Sequence, residues 1–313
     1  MEGARNGLAL CGQVIIPSMY PFLVLAGIFT QLQGFAKGVP AWFGAVLLGF
    51  LGGYPLGAKT AAQLLERGAI TRGQAQRLQL FCVNAGPAYL IGAVGAGMLG
   101  SRRAGMLLFA SMLVSGLVLG MLTRFLPMAE EGETPGKKEE GGRKPFDHVL
   151  LDAVTQATGG ILGICAWIVL FSSLCALLQL LPHGLWPAIP ALNVLLEVSS
   201  GTAAVVRAGM PLPVLCAALG WGGLGLHCQL LGDLRKTGVP MRLFWVSRLL
   251  HGALAAAVCA ALARWFPVEL AVSAMWGMGR GVRLWAVSAP AAAAMLFFCG
   301  FLILDLDLNR KVC

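Results

Sequence analysis

Residues 49–59 read GFLGGYPLGAK, and this stretch decides how the rest of the chain is read. It lies in a segment, 40–58, apolar enough for a bilayer, yet it carries Gly52, Gly53, Pro55 and Gly57 close together. A plain helix does not accommodate that density. Glycine in a helix interior costs about 1 kcal/mol relative to alanine, and proline removes a hydrogen bond. At membrane depth, broken backbone is tolerated only where protein buries it or where it lines a wet cavity. The stretch therefore predicts a turn inside a membrane protein.

Composition points the same way. Of 313 residues, 58% are hydrophobic and 12% charged, with a mean hydropathy of +0.78. Soluble domains carry roughly 25% charged residues. Several apolar runs reach the ~20 residues a helix needs to cross the hydrocarbon. The 42 glycines suit close helix packing, and no barrel-type alternation of short strands is seen. The first apolar stretch, 7–32, lacks a basic leader and a cleavage motif, so it reads as a retained span, with a kink expected at Pro17 and Pro21.

The nine cysteines fall mostly inside apolar runs and form no CxxC pair, which fits small buried hydrophobes better than a zinc or iron–sulfur site. Gly95-x-Gly97-x-x-Gly100 matches a dinucleotide fingerprint literally, but with no strand before it the glycines read as helix packing. No HExxH, GxSxG or Walker pattern occurs, so no enzymatic activity is expected. The net charge of +9 is assigned to cytoplasmic loops and calls for no nucleic acid.

The two halves follow one order. In the first, residues 61–79 are amphipathic, with Gly68 as a helix C-cap and Thr71 with Gln74 as a capping box. The helix that follows is interrupted at Asn84, Gly86 and Pro87, and 104–125 is a plain span. Residues 127–147 are charged and without periodicity, a solvated linker. In the second half, a long helix (149–181) precedes a broken stretch (185–206) containing LLEVSSG, an interrupted span (212–231) containing GWGGLGLHCQ, and a plain span (244–265); a last helix covers 284–304. GYPLG (53–57) falls on EVSSG (197–201), and 84–87 falls near 220–223. The expected division is a first repeat 1–126, the linker, a second repeat 148–266, and a C-terminal helix and tail 267–313.

Charge counting bears on the topology. If 40–58 and 185–206 are re-entrant hairpins, each half has three crossings and the second is inverted. That places 16 of the 23 Lys and Arg residues on one face, Lys59 and Arg248 among them; if both segments span, the count falls to about 14, so the positive-inside rule favours hairpins. The expected fold is an all-α polytopic membrane protein of two inverted repeats, each with a re-entrant hairpin and a broken transmembrane helix. It has seven crossings, an outside N-terminus and a cytoplasmic C-terminus. Half-helix ends at such breaks leave N–H or C=O groups free to hold a solute or ion.

Candidate site residues lie at those breaks. Glu197 is a carboxylate in an apolar region, where such a group normally faces a cavity or a partner; a shallow interfacial position is the simpler account. Ser199 and Ser200 add hydroxyls there, which could equally bond back to helix carbonyls. Asn84 and Gly86 sit where the first interrupted helix opens, with Asn84 either binding or capping. Gly53, Tyr54 and Gly57 form the first tip. Lys59 follows as a cation for an anionic solute, or one that snorkels to the face. Gly222, His227 and Gln229 mark the second interrupted helix, where a lone histidine is more often a packing residue.

At VIIPSMYPFLVLAG (14–27), GFLGGYPLGAK (49–59), the stretch from Gly68 through FCVNAGPAYLIGAVGAGMLGS (68–101), LLEVSSG and LGWGGLGLHCQ, the sequence resembles the YlbJ-like family of sporulation integral membrane proteins. These carry a nucleoside-recognition (gate) domain and are related to concentrative nucleoside transporters. The resemblance implies two hairpins and two unwound helices around a solute site at 53–57, 84–87, 197–201 and 220–227, and a link to sporulation and dipicolinate movement. The expected function is a secondary-type transporter of a small anionic or heterocyclic solute, nucleoside- or dipicolinate-like. It is expected to need no cofactor beyond a coupling Na+ or H+, to sit in the bacterial cell membrane (in a spore former, the outer forespore membrane), and to be compatible with a homo-oligomer. The alternative is a non-transporting membrane scaffold for sporulation or envelope proteins.

Overall fold

The computed structural model describes residues 2–32, 40–126, 128, 145–180 and 189–268. The last expected helix, 284–304, and nearly all of the linker lie outside the described residues.

The described chain is helical: α1 (Glu2–Gln31), α2 (Ala41–Gly52), α3 (Tyr54–Glu66), α4 (Arg72–Phe81), α5 (Ala88–Met98), α6 (Arg102–Phe125), α7 (Phe146–Leu178), α8 (Ile189–Leu196), α9 (Val198–Arg207), α10 (Leu212–Trp221), α11 (Gly223–Thr237) and α12 (Met241–Trp265). Among the described residues, five stretches are long and apolar enough to cross a membrane: α1, α6, α7, α10 with α11, and α12. The interruption expected at Asn84, Gly86 and Pro87 is present: two short helices, α4 and α5, are separated by an irregular segment. α1 runs through Pro17 and Pro21 and carries a wider π-helical turn at Cys11–Ile15 just before Pro17. A proline ring clashes with the carbonyl one turn back, and the wider winding gives it room.

Two segments fold back on themselves. A Cβ added at Gly49 would stand 3.0 Å from the Gly57 Cα, although residues so spaced lie about 12 Å apart along a straight helix. The turn is Gly53, at φ 100° and ψ 177°, a conformation that favours glycine. In the second half, a Cβ at Gly201 would stand 2.5 Å from the Val194 Cα, with Glu197 at the turn. The capping box between α3 and α4 is present: Gln74 N donates to Thr71 Oγ1 at 3.2 Å and Thr71 N to Gln74 Oε1 at 3.0 Å.

Two apolar clusters hold the bundle, and each mixes the halves. One gathers α1–α4 with α7; the other joins α5 and α6 to α9–α12 and takes in Tyr54 and Ala58 of α3. Some of the closest helix crossings are glycine on glycine, as at Gly95 with Gly105 and Gly220 with Gly252. Of the glycines in the 95–100 pattern, Gly95 packs on another helix, whereas Gly97 and Gly100 are exposed and Gly100 turns the chain at φ 63°. Leu151, Leu162, Leu177, Val246 and Leu249 point outward, as side chains facing lipid must.

Candidate functional site

Four helices begin at one place. α3 starts after Gly53, α5 after Pro87, α9 after Glu197 and α11 after Gly222, each where glycine, proline or a polar residue breaks the preceding helix. The residues at or just past these starts line a single cavity: Gly53, Tyr54 and Pro55; Gly86, Ala88 and Tyr89; Glu197, Val198 and Ser199; Gly225, Leu226 and Gln229. Ser18 and Met19 of α1 and Ile164, Trp167 and Ile168 of α7 complete the wall. Space for the centres of water molecules totals about 60 Å³. Since about 10–15 Å³ admits one water, the cavity takes a few waters or a polar group of that size.

Glycines bring the pieces together in matched fashion. A Cβ at Gly86 would stand 3.0 Å from the Gly53 N, and one at Gly223 would stand 2.9 Å from the Glu197 Cα. In each half, then, the broken helix rests a glycine on the backbone of the fold-back tip.

Glu197 is 3% exposed. Its Oε1 accepts from Ser199 N at 2.9 Å and its Oε2 from Ser200 N at 2.6 Å, so the carboxylate caps α9 and balances the partial positive charge of that helix start. The starts of α3, α5 and α11 have no side-chain cap. Among the cavity's lining residues Glu197 is the only Asp, Glu, Lys, Arg or His.

Half of the residues singled out from the sequence meet at this cavity: Gly53, Tyr54, Gly86, Glu197, Ser199 and Gln229. The others lie outside it, most of them at the breaks. Gly57 packs on the Cys82 carbonyl. Lys59 lies over Gly160 of α7, in a smaller space shared with Gln63 and Gln156, away from the tips. Asn84 is fully buried, and its Nδ2 donates to the Phe81 carbonyl at 2.7 Å. Ser200 contributes its N–H to Glu197, and Gly222 supplies a left-handed turn at φ 82°. His227 Nε2 donates to the Trp221 carbonyl at 3.0 Å, and its ring is stacked edge-on between Trp221 and Phe244. Both Asn84 and His227 thus satisfy carbonyls that the breaks leave free.

Three residues escaped the sequence reading. Tyr89 lines the cavity from the start of α5, and Trp167 forms part of the α7 wall. Arg248, counted above as a charge on the cytoplasmic face, is fully buried and leaves that tally. The available signal was an arginine inside an otherwise apolar span, with His251 on the same helix face one turn on.

No family model matches the chain, and no solved structure matches it. The chain is similar to the sporulation integral membrane protein YlbJ of Bacillus subtilis (strain 168), at 27% identity over 309 residues, covering 82% of this chain and 75% of the relative. With five long apolar helices among its described residues, the chain is a multi-pass membrane protein, and its likeness to YlbJ supports membership of the YlbJ-like family.

Proposed function

We propose that this protein is a secondary-type transporter of a small anionic or heterocyclic solute, bound where the four helix starts converge. The observation that carries this reading is that breaks from both halves line one cavity. The matched order of elements supports two repeats, 1–126 and 148–266, with the second inverted. On this reading α2–α3 and α8–α9 are re-entrant hairpins, α4–α5 and α10–α11 are broken crossings, the N-terminus is outside and the C-terminus cytoplasmic.

The electrostatics bear on the solute. Glu197 is already matched to α9, whereas the starts of α3, α5 and α11 have no side-chain cap, although Leu56 N and Tyr89 N donate to the Gly53 and Gly86 carbonyls. Such ends favour acceptors and anions. Tyr54, Tyr89 and Trp167 supply flat faces for a ring. A nucleoside-sized solute needs more room than a few waters, so the tips must part to admit it, and a coupling Na+ or H+ would drive that cycle. A scaffold role, linked through the YlbJ-type relative to sporulation, is the competing reading.

A thermal-shift screen of the purified protein against nucleosides and pyridine dicarboxylates, followed by flux assays in proteoliposomes, tests the proposal. A stabilising compound should be carried, and Glu197→Gln should reduce its flux at least tenfold. Flux unaltered by Glu197→Gln removes this cavity from the pathway; no stabilising compound and no flux leaves the scaffold reading standing.

A further inference from the structure

Arg248, on α12, is the largest fully buried side chain among the described residues. Its Nη2 donates to the Leu80 carbonyl and its Nη1 to the Val83 carbonyl. The Phe244 ring lies 5.6 Å away, and His251 Nδ1 is 3.5 Å from Nη1. A buried guanidinium ordinarily meets a carboxylate; among the described residues, none pairs with this one. What it meets is the end of α4, where backbone dipoles sum to partial negative charge and carbonyls lack helical partners.

The chemistry of the break explains why a donor must come from outside. If α4 continued, the Leu80 carbonyl would accept from the N–H of Asn84, and the Val83 carbonyl from residue 87. Residue 87 is proline and has no N–H. Rewinding can therefore satisfy Leu80 but never Val83, and the planar fork of an arginine spans both.

We propose that Arg248 is a positioning residue: from α12 it holds the Leu80 and Val83 carbonyls, keeps residues 82–87 unwound, and so sets where Gly86, Ala88 and Tyr89 form the first-half wall of the cavity. This concerns the break itself and stands apart from whether the cavity carries a solute.

A native reporter sits between the two held carbonyls. Cys82 is a free, fully buried thiol, and Cys216 on α10 is equally buried. N-ethylmaleimide labelling of the full-length protein in detergent, resolved by residue with mass spectrometry, reads both. In Arg248→Met, Cys82 should react at least tenfold faster than in the wild type while Cys216 stays slow. Arg248→Lys, with one ammonium to offer, should fall between. Pro87→Ala added to Arg248→Met restores the missing N–H and should slow Cys82 again. Should Arg248→Met not fold, Arg248→Lys carries the comparison, with Cys82 about threefold faster than wild type. Cys82 and Cys216 accelerating together would reveal general loosening and overturn the inference, as would an unchanged Cys82. Ser247→Ala, on the same helix, should leave Cys82 slow; equal acceleration there would also overturn it.

Discussion

The Tyr54 hydroxyl donates to the Leu219 carbonyl at 2.8 Å, joining the tip of the α2–α3 fold-back to the end of α10. With Arg248 reaching from α12 to Leu80 and Val83, each break receives a donor from the other half of the chain. The exchange is unequal. Hydrogen bonds from a charged group contribute about 1.5–3 kcal/mol and neutral ones about 0.5–1.5, so the second break is the more loosely held.

Tyr54→Phe removes the only atom that reaches Leu219 while keeping the ring. The carbonyl is left buried without that donor, and the expected loss is about 1–3 kcal/mol. Reversible unfolding in mixed micelles checks this, and a loss below 0.3 kcal/mol, roughly the limit of such measurements, would mean water replaces the phenol.

Glu197→Gln replaces one of two acceptor oxygens with an amide that cannot accept. One of the Ser199 and Ser200 N–H groups loses its partner, and stability should fall by about 0.5–2 kcal/mol. Ser200→Ala, which keeps the N–H, should cost less than half as much in the same unfolding assay.

Glycine substitutions should separate contact from propensity. Gly86→Ala and Gly223→Ala place a methyl against the fold-back backbone at 3.0 and 2.9 Å, and each should cost about 1–3 kcal/mol; Gly223 adds strain from its φ of 78°. Gly159→Ala meets nothing within 4 Å on α7 and should be neutral or stabilising by up to about 1 kcal/mol. Thermal melts of the three variants in one detergent suffice.

Lys236 Nζ lies 2.9 Å from Glu66 Oε1, with both side chains about half exposed. Solvent screens such a pair, so Glu66→Gln should change stability by less than about 1 kcal/mol, and a double-mutant cycle with Lys236→Met should give a coupling in the same range.

The breaks were legible in the sequence because glycine and proline act locally: Gly53, Pro87 and Gly222–Gly223 interrupt helices wherever they stand. Thr71 with Gln74 was legible for the same reason. What lay beyond reach was which side of a break faces the cavity. Asn84 and His227 are polar residues at breaks, as Glu197 is, yet they turn to the carbonyls of Phe81 and Trp221. Tyr54–Leu219 and Arg248–Val83 are each 165 residues apart, and no local pattern records such pairs. Arg248 escaped because one arginine barely alters the hydropathy of a 25-residue apolar helix.

The three uncapped helix starts have a consequence for any carrier cycle run here. An occupant of the cavity would meet three helix starts that no side chain caps, so its departure leaves the partial positive charge of those ends to be answered by solvent. Only water can take over, and it must enter from whichever side is open. Loaded and empty forms would then differ in how wet the helix ends are as well as in how far the tips part, and the exchange of solute for solvent would set the pace of the return stroke.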